Sequence, residues 1–216
     1  DKAESVCCHL TNIQPHNAEV LHLKALIHWR RGDRTQSILL LKRAIKHQPE
    51  QPLHYNNLGV FLNDQGLYDD AAAYLEKALQ LSPGYYDARC NLGLSRFYQN
   101  NLACALKCFN QAIADCPEHA PSHANLGMTL LSLGASSQAA DAYERALQVN
   151  PQQPRWWGNL GAARLNMGDY LQAAHAFQQA LSLDPANADF GSHLSVALRA
   201  LGQLERSIKV LQNTLA

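Results

Sequence analysis

The sequence predicts an all-α chain folded as a stacked array of antiparallel helix pairs, and three observations carry that prediction. Pro15, Pro49, Pro83, Pro117, Pro151 and Pro185 follow one another at intervals of 34 residues without a slip. A fixed period in the range of roughly 20 to 50 residues marks a solenoid or related repeat architecture. Small residues recur in register at Ala25, Gly59, Gly93, Gly127, Gly161 and Ser195, and again at Ser37, Ala71, Ala105, Ala139, Ala173 and Ser207. A third column, Gly32, Gly66, Gly134, Gly168 and Gly202 with Asn100 as its one substitute, supplies the residues that tolerate the left-handed turn closing a helix.

Placing each ruler proline at position 32 of its repeat divides the chain into elements, taken here in order. Residues 1–17 read as the second helix of a truncated repeat, with Ala3 in the small-residue column and Pro15 on the ruler. A chain that opens on Asp1 is expected to be a piece of a longer protein. The first full repeat, 18–51, departs most from the pattern, with Lys24-Ala25 where the next three carry Leu58-Gly59, Leu92-Gly93 and Leu126-Gly127. Those three are 52–85, 86–119 and 120–153. Each has a large apolar residue at position 24, namely Leu75, Phe109 and Tyr143, facing the small ones, which lets helix axes approach closely. The fifth repeat, 154–187, holds Trp157, Leu160, Gly161, Ala173, Phe177, Ala180 and Pro185. The last element, 188–216, is partial. Its apolar residues Leu204, Ile208, Leu211 and Leu215 form one stripe, which favours a helix that caps the array over one that continues it. No second domain is expected in 1–216.

This pattern of an aromatic, Leu-Gly, Ala, an aromatic and Pro resembles the tetratricopeptide repeat. The resemblance implies a right-handed superhelical solenoid whose first helices line a concave groove and bind partners through positions 2, 5, 6, 9, 12 and 13. Position 6 reads Leu23, Asn57, Asn91, Asn125, Asn159 and His193. Asparagine is a mediocre helix former, so four in register call for a reason. A side-chain amide pairs with both the N–H and the C=O of an extended peptide, whatever that peptide's side chains are. The column resembles the asparagine ladder of the repeat region of O-linked N-acetylglucosamine transferase. The same amides can instead bridge adjacent helices, and the sequence leaves both readings open. By the same resemblance Asn56, Asn63, Leu94, Tyr98, Met128, Arg155 and Asn166 join the groove lining, with Trp29, Val60, Phe97, Asp64 and Arg199 around them. Such mixed apolar and polar walls suit an extended peptide or a helix. They do not suit the acidic chaperone tails that related arrays clamp with lysines and arginines, because His22, Leu26, Asn56 and Cys90 stand at the comparable places.

Composition narrows the function further. Eighteen basic residues balance eighteen acidic ones, giving no electrostatic reason to expect nucleic acid or an anionic membrane as partner. No apolar run approaches the roughly 18 residues of a membrane span, so no membrane insertion is expected. Six cysteines without a Cys-x-x-Cys read as reduced small hydrophobes, which makes the cytoplasm the default location. Neither His119 with His123 nor Cys104 with Cys108 and Cys116 completes a metal set, and no nucleophile motif or phosphate loop appears. The expected function is a non-catalytic module, without cofactor or metal, that binds an extended partner segment. The alternatives are a scaffold that assembles with itself through its ends, and the substrate-recognition arm of a glycosyltransferase-like enzyme.

Overall fold

A computed structural model describes residues 16–215, leaving the expected helix at 1–17 almost wholly outside the described residues. Those residues form twelve helices and no strand. In chain order they are α1 Ala18–Arg30, α2 Arg34–His47, α3 Pro52–Asp64, α4 Tyr68–Leu81, α5 Tyr86–Tyr98, α6 Leu102–Asp115, α7 Ala120–Ser132, α8 Ser136–Val149, α9 Pro154–Asn166, α10 Tyr170–Leu183, α11 Ala188–Ala200 and α12 Leu204–Leu215. Odd-numbered helices are the first of each pair.

The chain divides into two compact units, 1–115 and 116–216. In the first, α1 to α6 pack as consecutive pairs, and α3 also touches α5 directly. In the second, α7 to α12 do the same, with α9 touching both α7 and α11. Leu41, Leu58, Leu75 and Phe61 anchor the first core; Tyr143, Leu160 and Leu147, and then Phe177, Leu194 and Leu198, anchor the second.

Two columns of the sequence explain the pairing. A methyl group added at Gly93 would lie 2.5 Å from the Phe109 ring, and one at Gly127 would lie 2.8 Å from Tyr143, so the small residue is what admits the large one. The turn between paired helices takes a positive φ at Gly32, Gly66, Gly134, Gly168 and Gly202, and Asn100 adopts the same conformation at φ 59°. Asparagine is the residue other than glycine that accepts this region most readily.

The proline ruler is tied down by hydrogen bonds that the sequence does not announce. At position 4 of three successive first helices, Arg89, His123 and Trp157 each donate a side-chain N–H to the carbonyl of the ruler proline behind them. Arg89 Nη2 reaches Pro83, His123 Nε2 reaches Pro117 at 2.8 Å, and Trp157 Nε1 reaches Pro151 at 2.8 Å. Three unlike side chains close the same turn.

The apolar stripe of α12 is turned inward only in part: Leu211 is half-buried, while Leu204 is 60 % exposed and Ile208 56 %. The side chain of Leu215 lies outside the described residues. The inward face is set by Ser207, which is buried and lies 2.8 Å from the Ser195 hydroxyl of α11, and by Val210. The physical reason is the period: positions 20 and 27 face the partner helix in every pair, and on α12 these are Ser207 and Thr214.

Candidate functional site

The first unit carries a chain of hydrogen bonds across the three first helices α1, α3 and α5. Asn91 Nδ2 donates to Asn56 Oδ1 at 2.9 Å, and Asn56 Nδ2 donates to Asn57 Oδ1 at 3.3 Å. Asn57 Nδ2 lies 2.6 Å from His22 Nε2, His22 Nδ1 lies 3.1 Å from His54 Nδ1, and His54 Nε2 lies 3.3 Å from Gln48 Oε1. An amide nitrogen only donates, so His22 Nε2 carries a lone pair and His22 Nδ1 carries the proton. That proton requires a lone pair on His54 Nδ1, which leaves His54 Nε2–H to donate to Gln48. Every link points one way, and both histidines are neutral in a single tautomer. Burial lowers the pKa of His22, and burial reinforced by His22 lowers that of His54 to about 4. On the far side, Asn63 Nδ2 donates to the Asn91 carbonyl at 3.1 Å, and the Ser95 hydroxyl donates to Asn63 Oδ1 at 2.8 Å.

This placement corrects the sequence reading of position 5. Asn56 is only 6 % exposed and its amide links Asn57 to Asn91, so it does not line a groove. Cys90 and Ala124 at the same position are buried as well. Position 5 turns toward position 3 of the following first helix, as His22 meets His54 and as a methyl at Gly158 would meet Phe190. The two histidines, missed as part of the site, had this spacing as their signal: polar residues at position 5 of one repeat and position 3 of the next.

Beside the chain, a hollow of about 400 Å³ opens between α3 and α5 and the first residue of α4. Asn63, Asn91, Leu94 and Tyr98, all expected groove residues, line it together with Val60, Asp64 and Tyr68. Tyr98 is 53 % exposed, and its ring stacks on Tyr68 with centroids 5.0 Å apart. Asp64 pairs with Arg34 at 3.1 Å, and the Arg34 guanidinium lies 3.9 Å above the Trp29 ring.

In the second unit the amides at position 6 make different contacts. Asn159 Nδ2 donates to the Tyr143 hydroxyl on α8 at 3.0 Å, and burial pushes the Tyr143 pKa up. On α7 the main-chain carbonyl of Asn125 accepts from the Thr129 hydroxyl at 2.8 Å. His193 is exposed, with its ring stacked on Phe177 and Nδ1 donating to the Asp189 carbonyl at 2.7 Å. Met128 packs against the core of this unit, while Arg155 and Asn166 are exposed on α9. No three His, Cys, Asp or Glu side chains converge among the described residues. No described helix is long and apolar enough to cross a membrane.

Comparison with known proteins fits this architecture. The family model described as "Tetratricopeptide repeat" matches residues 22–86 and 90–154, and a second model of the same description matches 126–200. The chain belongs to the tetratricopeptide repeat family. Its fold is therefore the tetratricopeptide solenoid, and proteins of this family mediate protein–protein interactions. A segment of 76 residues is 32 % identical to the photosystem I assembly protein Ycf3 of Cyanophora paradoxa, covering 29 % of this chain and 44 % of that protein. The Cut9–Hcn1 hetero-tetramer of the APC/C superposes with a TM-score of 0.86 over all of this chain and 42 % of the other, at 16 % identity. YrrB, described as a tetratricopeptide protein with an unusual peptide-binding site, superposes at 0.67 with 22 % identity, over 81 % of this chain and 90 % of its own. At such identities the structural likenesses establish the fold alone. The chain spans less than half the length of Ycf3 and of the matched Cut9–Hcn1 chain.

Proposed function

We propose that this tetratricopeptide array is a non-catalytic interaction module that holds an extended segment of a partner protein, gripping its backbone in the first unit through the position-6 asparagines Asn57 and Asn91. The observation that carries the reading is the valence left on each amide. A primary amide has two N–H groups and a carbonyl oxygen with two acceptor sites. Asn57, Asn91 and Asn159 each use one N–H to anchor to a neighbouring helix. Each keeps its second N–H and at least one acceptor site, the pair needed to match one peptide unit of an extended chain. Bridging helices and binding a ligand are then two uses of one side chain, and the bridge fixes the amide's orientation in advance of binding. YrrB's described peptide-binding site and Ycf3's role in assembly accord with a module of this kind. Within a larger protein the same groove would serve as a recruiting arm, including one on a glycosyltransferase-like enzyme.

The test is nuclear magnetic resonance of the labelled protein with peptides selected from a displayed random library. The side-chain amide resonances of Asn57 and Asn91 are expected to shift on binding. Selected peptides that perturb only α2, α4 and α6 would refute the groove reading.

A second reading, self-assembly, is favoured by one feature: Leu204 and Ile208 leave an apolar face open on α12. Position 21, occupied here by Ile208, is buried in earlier repeats at Ala72, Ala140 and Ala174. Sedimentation at two concentrations separates the readings, since a concentration-independent monomer excludes assembly.

A further inference from the structure

The hollow between α3 and α5 has a chemical character of its own, which sharpens the reading just given and rests on it. Among its lining residues Val60 and Leu94 are half-buried and aliphatic, while the Tyr98 ring and the Asp64 carboxylate are exposed. We propose that it receives a basic side chain of the bound segment, an arginine or lysine, with the methylene stem on Val60 and Leu94 and the cationic head between Tyr98 and Asp64.

Four observations support this assignment. First, the lining offers half-buried aliphatic surface at Val60 and Leu94 beside an exposed carboxylate at Asp64, matching the methylene stem and charged head of a long cationic side chain. Second, the exposed Tyr98 ring is held by its stack on Tyr68, and a fixed aromatic ring attracts a cation electrostatically through its π face. Third, the chain already binds a guanidinium this way: Arg34 lies 3.9 Å over Trp29 and 3.1 Å from Asp64. The carboxylate that closes that arrangement is the one that reaches the hollow. Fourth, the surface just beyond Tyr68 is acidic. Asp69 and Asp70 stand on the first turn of α4, and Arg96 beside them is already paired with Glu76 and bonded to Gln99. An acidic ligand would meet carboxylates and engaged arginines, and a purely apolar one would bury Asp64 against itself. A cation meets the Asp64 carboxylate in the lining and finds further carboxylates, Asp69 and Asp70, on the adjoining turn of α4.

The experiment measures binding of fluorescein-labelled nonapeptides of Ala, Gly and Ser with a central Arg, Leu or Glu, by anisotropy at low ionic strength. The Arg peptide is expected to bind about five- to tenfold tighter than the Leu peptide, the sum of a modest cation–π contact and an exposed ion pair. The Glu peptide is expected to bind weakest. Asp64→Asn and Tyr98→Leu, both at exposed positions, should each shrink the preference for Arg. Arg34→Gln should enlarge it, because it removes the internal competitor for Asp64, an effect that a merely structural role for Asp64 does not produce. Equal affinity for the three peptides, with the Asn91 side-chain resonance still shifting, would overturn the basic-residue assignment and leave the groove reading standing. Peptides that move neither Asn57 nor Asn91 would overturn both.

Discussion

Acidification should loosen the junction between α1 and α3, and its size follows from the histidine pair. His54 is 1 % exposed and sits Nδ1 to Nδ1 against His22 at 3.1 Å. Protonating either ring puts two donors face to face or sets a donor against the Asn57 amide, so the folded state resists the proton. Its folded pKa of about 4 lies below the ordinary 6.5. The unfolded chain therefore binds more protons across that window, and stability rises with pH. The contribution is complete above about pH 6.5 and is lost as pH falls toward 4. For His54 alone, linkage gives a loss of about 2 kcal/mol at pH 5 and about 3 kcal/mol once both states are protonated. The depressed pKa of His22 acts in the same direction. Repeat arrays open locally rather than all at once, so the assay is amide hydrogen exchange, corrected for the intrinsic rate at each pH. Protection free energies in α1 and α3 should fall by about 2 kcal/mol between pH 7.5 and 5, while those in α10 and α11 serve as the internal reference. His54→Gln is the control, since an amide there still accepts from His22 and donates to Gln48 without titrating. A wild-type loss below about 0.5 kcal/mol, or the same loss in His54→Gln, would refute the assignment of the directional chain.

Two further outcomes follow from the geometry. Asn91→Ala leaves the buried Asn56 Oδ1 without its donor, so it should lower stability by about 1–3 kcal/mol; urea unfolding followed by circular dichroism checks this, and an unchanged midpoint would show that the Asn91–Asn56 bond carries no weight. Leu204→Lys with Ile208→Lys should leave the melting temperature within about 2 °C of wild type, because both side chains are exposed and such changes are near neutral; a large drop would mean that the α12 face is covered within the folded chain.

Much of the fold was legible because it is periodic. The ruler prolines, the small residues opposite position 24 and the residues at positive φ are each fixed by a steric requirement that repeats, and Asn100 shows the requirement accepting a second residue for the same reason. The site was legible in part. Asn63, Asn91, Leu94 and Tyr98 do converge on one hollow, since side chains three and seven or eight residues apart share a helix face and equivalent helices stand side by side. Asn56 was misplaced because a single helix's periodicity puts positions 5 and 6 next to each other. Contact with the neighbouring helix is what turns one inward. The His22–His54 contact depends on that same angle between helices, which no one-dimensional pattern states. The α12 stripe is informative in part for a related reason. Hydrophobicity marks one face, while register with the partner helix, through Ser207, turns only its Leu211 edge inward.

The bonds from Arg89, His123 and Trp157 to the ruler prolines bear on how such repeats diversify. Repeat consensus motifs describe this position as aromatic, and by that measure a guanidinium and an imidazole are departures. In these three repeats the side chain delivers one N–H to one carbonyl across the reach it needs, and all three residues do so. Substitution among donors is open to drift in these three repeats, while Leu21 and Gly191 hold the same position in the first and last repeats with no side-chain N–H at all. Described by the bond donated rather than by the ring present, Arg89, His123 and Trp157 are three forms of one solution to closing the proline turn.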